Sequence, residues 1–253
     1  SIWFSSAILL LLSTAQFFTM RISVEVVSDI ICPWCFLGKK RLEKAISKIQ
    51  AERPDIEFAV HWRPYMLSPE LPATGVAKQQ SYLKRFRGNQ ERLDAMNREM
   101  THLFHAEGLL FSKDGTIGNT FDGHCLAEYL LQECGVKVQD DFVDAMFQEY
   151  HVHGKNPASR TVLLEAVQRA GGDAERACQI LDGSDDFRTL VRSHIDKNKS
   201  GGTSDEMITG VPHFIIATPA MRVEVPGAQD PATLERVILR LVERSAASPP
   251  SKL

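Results

Sequence analysis

Cysteine is scarce in this chain: 5 among 253 residues, an odd count. So few cannot build a disulfide-stapled scaffold. Only Cys32 and Cys35 are spaced as a unit, and no second Cys-x-x-Cys follows them. A tetrahedral structural zinc site usually shows such a second pair. His151 and His153 of "HVHGK" are the remaining candidates, but i,i+2 spacing on a helix turns two side chains apart. No metal site is therefore expected. Excess positive charge is also missing. The formal net charge is −3 with no basic patch, which argues against nucleic acid as a partner.

Long apolar runs are missing too. The opening "SIWFSSAILLLLSTAQFFTM" carries no charge, and its longest apolar run, Ala7–Leu12, is too short for a spanning helix. A secretory signal would place basic residues before its apolar core, and none is there. Residues 1–20 are accordingly expected to be upstream or non-native leader sequence, with folding starting near Met20. At the other end, residues 245–253 are expected to form a flexible Ser/Pro-rich tail. The tail presents Ser251, Lys252 and Leu253, a peroxisomal address. This implies a peroxisomal import receptor as partner and a peroxisome or glycosome as location, with the cytoplasm as the alternative.

What is present is a strand–helix–strand frame with an insertion. "RISVEVVS" alternates as a strand, and "IEFAVHW" alternates again with Ile56, Phe58, Val60 and Trp62 on one face. Between them Leu42, Ala45, Ile46 and Ile49 recur at helical spacing, with Lys39, Lys40, Arg41, Lys44 and Lys48 mostly on a face expected to be solvated. The unit should be parallel and right-handed. From Val76 to Lys199 the pattern is helical, with helices expected near 78–107, 122–134, 140–153, 160–170, 174–181 and 186–198. Strand patterning returns at "GVPHFIIA" and "MRVEVPG", joined by a hairpin at Thr218-Pro219-Ala220. Asp230 and Pro231 then open a last helix. The order predicts an α/β fold in which a small mixed sheet is interrupted by helices. The frame is expected at 21–74 and 204–244, and the insertion at 75–203. Cys125, Cys134 and Cys178 fall in helical patterns and are expected to be mostly buried, reduced thiols.

The chemistry lies in "SDIICPWCFLGKKRLEKAI". A thiolate, not a thiol, attacks a disulfide. A cysteine at a helix start has unpaired N–H groups and the helix dipole to stabilise that thiolate. Cys32 stands there, and Pro33 suits the first helical position. Cys32 is expected to be an exposed nucleophile, and Cys35, one turn on, the resolving thiol. Trp34 between them is expected to be an exposed docking surface. Asp29 either caps the helix or holds a proton near the pair. Far along the chain, "TGVPHF" sets Pro212 at a strand entry. A cis Val211–Pro212 bond would bring the ring beside the cysteines and leave the Val211 carbonyl and N–H free for an extended substrate. In "GNTFDGHC", Asn119 or Thr120 could cap a helix. Alternatively Asn119, Thr120 and His124 could line a cleft for substrate or glutathione.

"VVSDIICPWCFLGKKRLEKA" followed by "TGVPHFII" resembles the DsbA-like thioredoxin-fold oxidoreductases. "HWRPYMLSPELP", "HAEGLLF", "GNTFDGH" and "VPGAQDPATLERVI" are similar to their FrnE-type branch. The resemblance spans about residues 21–242. It implies a thioredoxin fold with a large all-helical insertion, a redox-active Cys32/Cys35 pair, and a cis Pro212 facing it. It implies thiol–disulfide exchange on a protein or small-molecule substrate, with no bound cofactor and glutathione as redox partner or co-substrate. A homodimer fits such relatives. The superfamily also holds kappa-class glutathione transferases and 2-hydroxychromene-2-carboxylate isomerases, which typically carry serine where Cys32 stands. Glutathione-dependent transfer or isomerisation is thus the alternative activity, and a non-catalytic zinc or interaction module a third.

Overall fold

The computed structural model describes residues 19–183, 186–200 and 207–247. Residues 1–18 of the expected leader and the expected Ser251–Leu253 address lie outside them. Strand β1 (Met20–Ser28) buries Ile22, Val24 and Val26, as its alternation requires. Helix α1 (Pro33–Glu52) follows, with Pro33 in its first turn, and strand β2 (Ile56–Pro64) returns parallel to β1.

The insertion begins with a two-residue strand, β3 (Val76–Ala77), too short and too exposed to carry a sequence signal. One long helix was expected over 78–107. The chain instead forms α2 (Lys78–Arg85) and α3 (Gln90–Ala106). Arg87 and Gly88 both take positive φ, 54° and 79°, which ends the first helix. Asn89 then caps the second, accepting the Arg92 N–H at 2.9 Å. Strand β4 (Thr116–Ile117) pairs with β3. Helix α4 (Phe121–Tyr129) ends in a π-helical turn at Leu130–Cys134, and α5 (Val136–Phe147) in another at Gln148–Val152. Helices α6 (Arg160–Arg169), α7 (Ala174–Leu181) and α8 (Phe187–Ser200) complete it.

Strands β5 (His213–Ala217) and β6 (Arg222–Pro226) form the expected hairpin, and α9 (Pro231–Ala247) is the last described element, taking in residues 245–247 that were expected in the flexible tail. The Asp230 carboxylate accepts the Thr233 N–H at 2.9 Å and caps α9. The sheet order is β2-β1-β5-β6, with β5 antiparallel to β1. The main apolar core runs from the sheet through α1 and α9 into α4–α8, and a small second cluster holds Val27, Ile208 and Ile215.

The lysine face of α1 is only partly solvated: Lys44 and Lys48 are exposed, but Lys39 and Lys40 are not. Lys39 is 2% exposed, and its ammonium pairs with Asp140 of α5 at 2.7 Å and with Glu43 at 2.6 Å. Lys40 pairs with Asp144 at 2.6 Å. α5 also serves the outer edge of β2. Gln139 accepts the Trp62 N–H at 2.9 Å and donates to the Trp62 carbonyl at 3.0 Å, as a neighbouring strand would. All five cysteines are free thiols. Cys125 is buried as expected, but Cys134 is exposed and Cys178 half-buried, because the π-helical turn and α7 present them outward.

Candidate active site

β1 delivers the chain to Ser28, where a tight turn begins, with Cys32 N–H bonded to the Asp29 carbonyl at 3.0 Å. Cys32 is the N-cap of α1, with extended backbone and no side-chain cap bond. Cys35 lies one turn inside, its N–H bonded to the Cys32 carbonyl at 3.0 Å. The sheet register sets Val27 of β1 opposite His213 of β5, so the residues preceding β5 fall beside the cysteines. The Val211–Pro212 bond is cis. The Cys32 Sγ lies 3.5 Å from the Val211 carbonyl oxygen. Val211 takes part in no backbone hydrogen bond among the described residues. Pro212 packs on α1 at Gly38, where a Cβ would stand 3.0 Å from the proline Cγ.

Cys32 is not the exposed thiol expected of it. It is only 4% exposed, because the Val211–Pro212 segment covers it, while Trp34 beside it is 37% exposed. A groove of about 640 Å³ begins at Val211 and Pro212 and continues along His213, Arg222 and Glu224. Cys35 is completely buried. Burial, then the hydrogen bond and charge of Cys32, push its thiol well above the ordinary range. Ser28 and the Asp29 backbone pull in the other direction.

Asp29 does not cap α1. Its carboxylate is buried, accepting the Leu67 N–H at 2.7 Å and the Ile31 N–H at 3.5 Å. Asn119 makes structural bonds and also borders a pocket with Pro69, Phe121, Asp122 and Arg192. Asn119 accepts the Phe121 N–H and donates to the Pro69 carbonyl, both at 2.9 Å. Thr120 is buried and makes no side-chain cap bond, although it stands at the N-cap of α4. His124 is 7% exposed and turned towards Asp29, behind the cysteines rather than along the groove.

Sequence reasoning missed three buried neighbours. His151, considered only as a metal ligand, donates from Nε2 to the Ile30 carbonyl at 2.9 Å and steadies the turn before Cys32. Burial, then the nearby Lys78, hold it well below the usual histidine range, so it is neutral. Tyr150 stacks edge-on against it. Burial pushes Tyr82 of α2 up to about 12, and negative charge on Cys32 and Asp29 adds to that. Nothing in the sequence of the eight-residue α2 or of the "QEYHVHGK" segment points these rings towards the Cys32 turn. Among the described residues no three His, Cys, Asp or Glu side chains converge as a metal-ligand set.

The profile of the DSBA-like thioredoxin domain family matches residues 23–239. The chain belongs to that family. A probable DsbA oxidoreductase of Streptomyces coelicolor, SCO1869, superposes with a TM-score of 0.74 at 27% identity, over 92% of this chain and 93% of its own. YwbO of Bacillus subtilis, an uncharacterised protein, is 24% identical over 87% of this chain and 96% of its own. A 2-hydroxychromene-2-carboxylate isomerase has a TM-score of 0.60 at 14% identity, covering 89% and 98%. The cytosolic disulfide reductase DsbM of Pseudomonas aeruginosa, solved with glutathione, has a TM-score of 0.52 at 15% identity, covering 87% and 99%. These last two likenesses concern the fold. The fold is thus α/β, a DsbA-like thioredoxin fold with a large helical insertion, in a family with redox-enzyme members.

Proposed function

We propose that this protein is a thiol–disulfide oxidoreductase using Cys32 and Cys35. The observation that carries the reading is the placement of Cys32 Sγ, at a helix N-cap and 3.5 Å from the carbonyl oxygen of Val211. The Cys32 thiolate attacks one sulfur of a substrate disulfide, forming a mixed disulfide and expelling the first thiolate, which takes up a proton. Cys35 then loses its proton and attacks the Cys32 sulfur. The Cys32–Cys35 bond forms, the mixed disulfide breaks, and the second thiolate leaves. Two electrons pass from the protein to the substrate, and two equivalents of an external thiol restore the dithiol and leave as their own disulfide; the reverse sequence oxidises a substrate dithiol.

The groove along Val211, His213 and Glu224 gives an extended chain room to bind beside the thiol. Val211 offers its backbone and Pro212 its ring face, while Trp34 stands exposed beside Cys32 and Pro33 opens the first turn. Glutathione is the external thiol we favour, a reading encouraged by the DsbM structure solved with it. The pair of cysteines separates this reading from glutathione-dependent isomerisation, which needs no resolving thiol. The Ser251-Lys252-Leu253 address keeps a peroxisome or glycosome as the proposed location.

The test is disulfide turnover by wild type, Cys32→Ser and Cys35→Ser. Cys32→Ser should fall to the buffer background. Cys35→Ser should stall as a mixed disulfide at Cys32. Full turnover by Cys32→Ser contradicts the assignment.

A further inference from the structure

Cys35 must release a proton in every cycle, yet its sulfur is fully buried and Cys32 in front of it is 4% exposed. Behind it stands a row of polar groups that the thiol chemistry leaves unused. Ser28, at the end of β1, is among the groups that pull the Cys35 thiol back down. Ser28 also lines a cavity of about 20 Å³, shared with His124 and Glu128. That is the size of one water molecule. His124 and Glu128 are four residues apart on α4 and so share a face. His124 Nε2 lies 3.5 Å from Asp29 Oδ1, and Glu128 Oε2 lies 3.5 Å from His194 Nδ1 on α8. Both separations are long for a direct hydrogen bond. His124 Nε2, Glu128 Oε2 and His194 Nδ1 have no hydrogen-bond partner among the described residues. At the outer end, the His194 side chain is 18% exposed and reaches solvent.

We propose that Ser28, His124, Glu128 and His194 form a proton path from Cys35 to the surface of α8, completed by one water in the shared cavity. The inference rests on the Cys32/Cys35 reading above. In the resolving step the Cys35 S–H bond breaks and the proton moves through Ser28 and the water to His124. The electron pair left on Cys35 forms the bond to Cys32. The bond between Cys32 and the substrate sulfur breaks, and the substrate thiolate leaves. The proton continues over Glu128 and His194 to solvent. His124 is a positioning residue for this step, since it does not touch the reacting sulfurs. The charged groups around it are Asp29 from the turn, Glu128 on its own helix, Arg63 of β2, which pairs with Glu25, and His194 of α8. α5 contributes only Phe142, Val143 and Phe147 to the cavity wall.

The test uses a symmetrical aromatic disulfide whose thiolate is coloured, in single turnover, with Cys134→Ser and Cys178→Ser as background because those thiols are not buried. The first thiolate released reports attack by Cys32, and the second reports resolution by Cys35. His124→Gln should leave the first release at the reference rate and slow the second about 10-fold near pH 7. The deficit should shrink as pH rises and hydroxide accepts the proton. His194→Asn, at the outer end, should show the same pattern at about 3-fold. A second release in His124→Gln at the reference rate across pH overturns the path. If His124→Gln does not fold, His194→Asn decides, and an unchanged second release there overturns it. Cys32→Ser separates the two claims: both releases persisting in it defeats the dithiol reading itself. Both releases lost there, with His124→Gln normal, defeats only the proton path.

Discussion

The four-stranded sheet buries almost only apolar side chains, whereas the helical insertion also buries many polar ones. The central strands hide Ile22, Val24, Val26, Phe214 and Ile216, an interior of apolar side chains. The insertion hides Lys78, Thr120, His124, Glu128, Gln139, Glu149, His151 and Asn198. Several of these reach across to the frame: Gln139 to Trp62, His151 to Ile30, and Asn198 to the Pro64 carbonyl at 2.8 Å. The insertion therefore does more than add apolar area. It satisfies backbone groups at the edge of β2 and in the turn carrying Cys32, where a four-stranded sheet alone would leave them open.

The contrast can be broken most strongly at Lys78, whose ammonium donates to the Ser112 carbonyl at 2.7 Å inside the insertion. Burial holds it down to about 8 against an ordinary 10.5. With the folded value below the unfolded one, the unfolded chain binds more protons between these limits. Stability attributable to Lys78 therefore rises as pH increases from about 8 to 10.5. The gain should be about 3 kcal/mol. Urea unfolding of wild type and Lys78→Met should show curves that diverge by that amount over this window, and parallel curves would refute the assignment.

Gln139→Leu strands the N–H and carbonyl of Trp62 and should cost about 2 kcal/mol. Urea unfolding should still give one transition at a lower midpoint, because frame and insertion share one core. Two separated transitions would mean that the clamp joins independently stable parts. The smallest stability effect belongs to the frame. At Gly38 a new Cβ meets Pro212 Cγ at 3.0 Å and Phe214 Cζ at 3.2 Å. The helix gains about 1 kcal/mol from alanine, which offsets the crowding. Gly38→Ala should thus shift stability by less than about 1 kcal/mol while displacing Pro212 and lowering disulfide turnover roughly 5-fold. Unchanged turnover would show that the proline can shift without consequence.

The frame was legible because its signals are local. Alternation gave β1, β2, β5 and β6, and Asp230-Pro231 announced α9. The break between α2 and α3 was written as Arg87-Gly88-Asn89, but helical periodicity on both sides masked it. What escaped depends on residues far apart in the chain. Cys32 is covered by Val211, 179 positions away, and Lys39 is buried by Asp140, 101 positions away. The burial of His124 and His151 likewise follows from how α4 and the turn after α5 dock on the Asp29–Ile31 turn. A charged or imidazole side chain reads as surface until the docking is known.

The central claim is that Cys32 and Cys35 act as one two-electron couple. The most direct measurement equilibrates the protein in glutathione buffers of graded potential, alkylates the remaining thiols and maps them by peptide mass. The account predicts that Cys32 and Cys35 lose alkylation together, in one transition, as a disulfide linking the two, while Cys125 stays a buried thiol throughout. Glutathione carried on Cys32 with Cys35 still alkylatable across the whole range would contradict it.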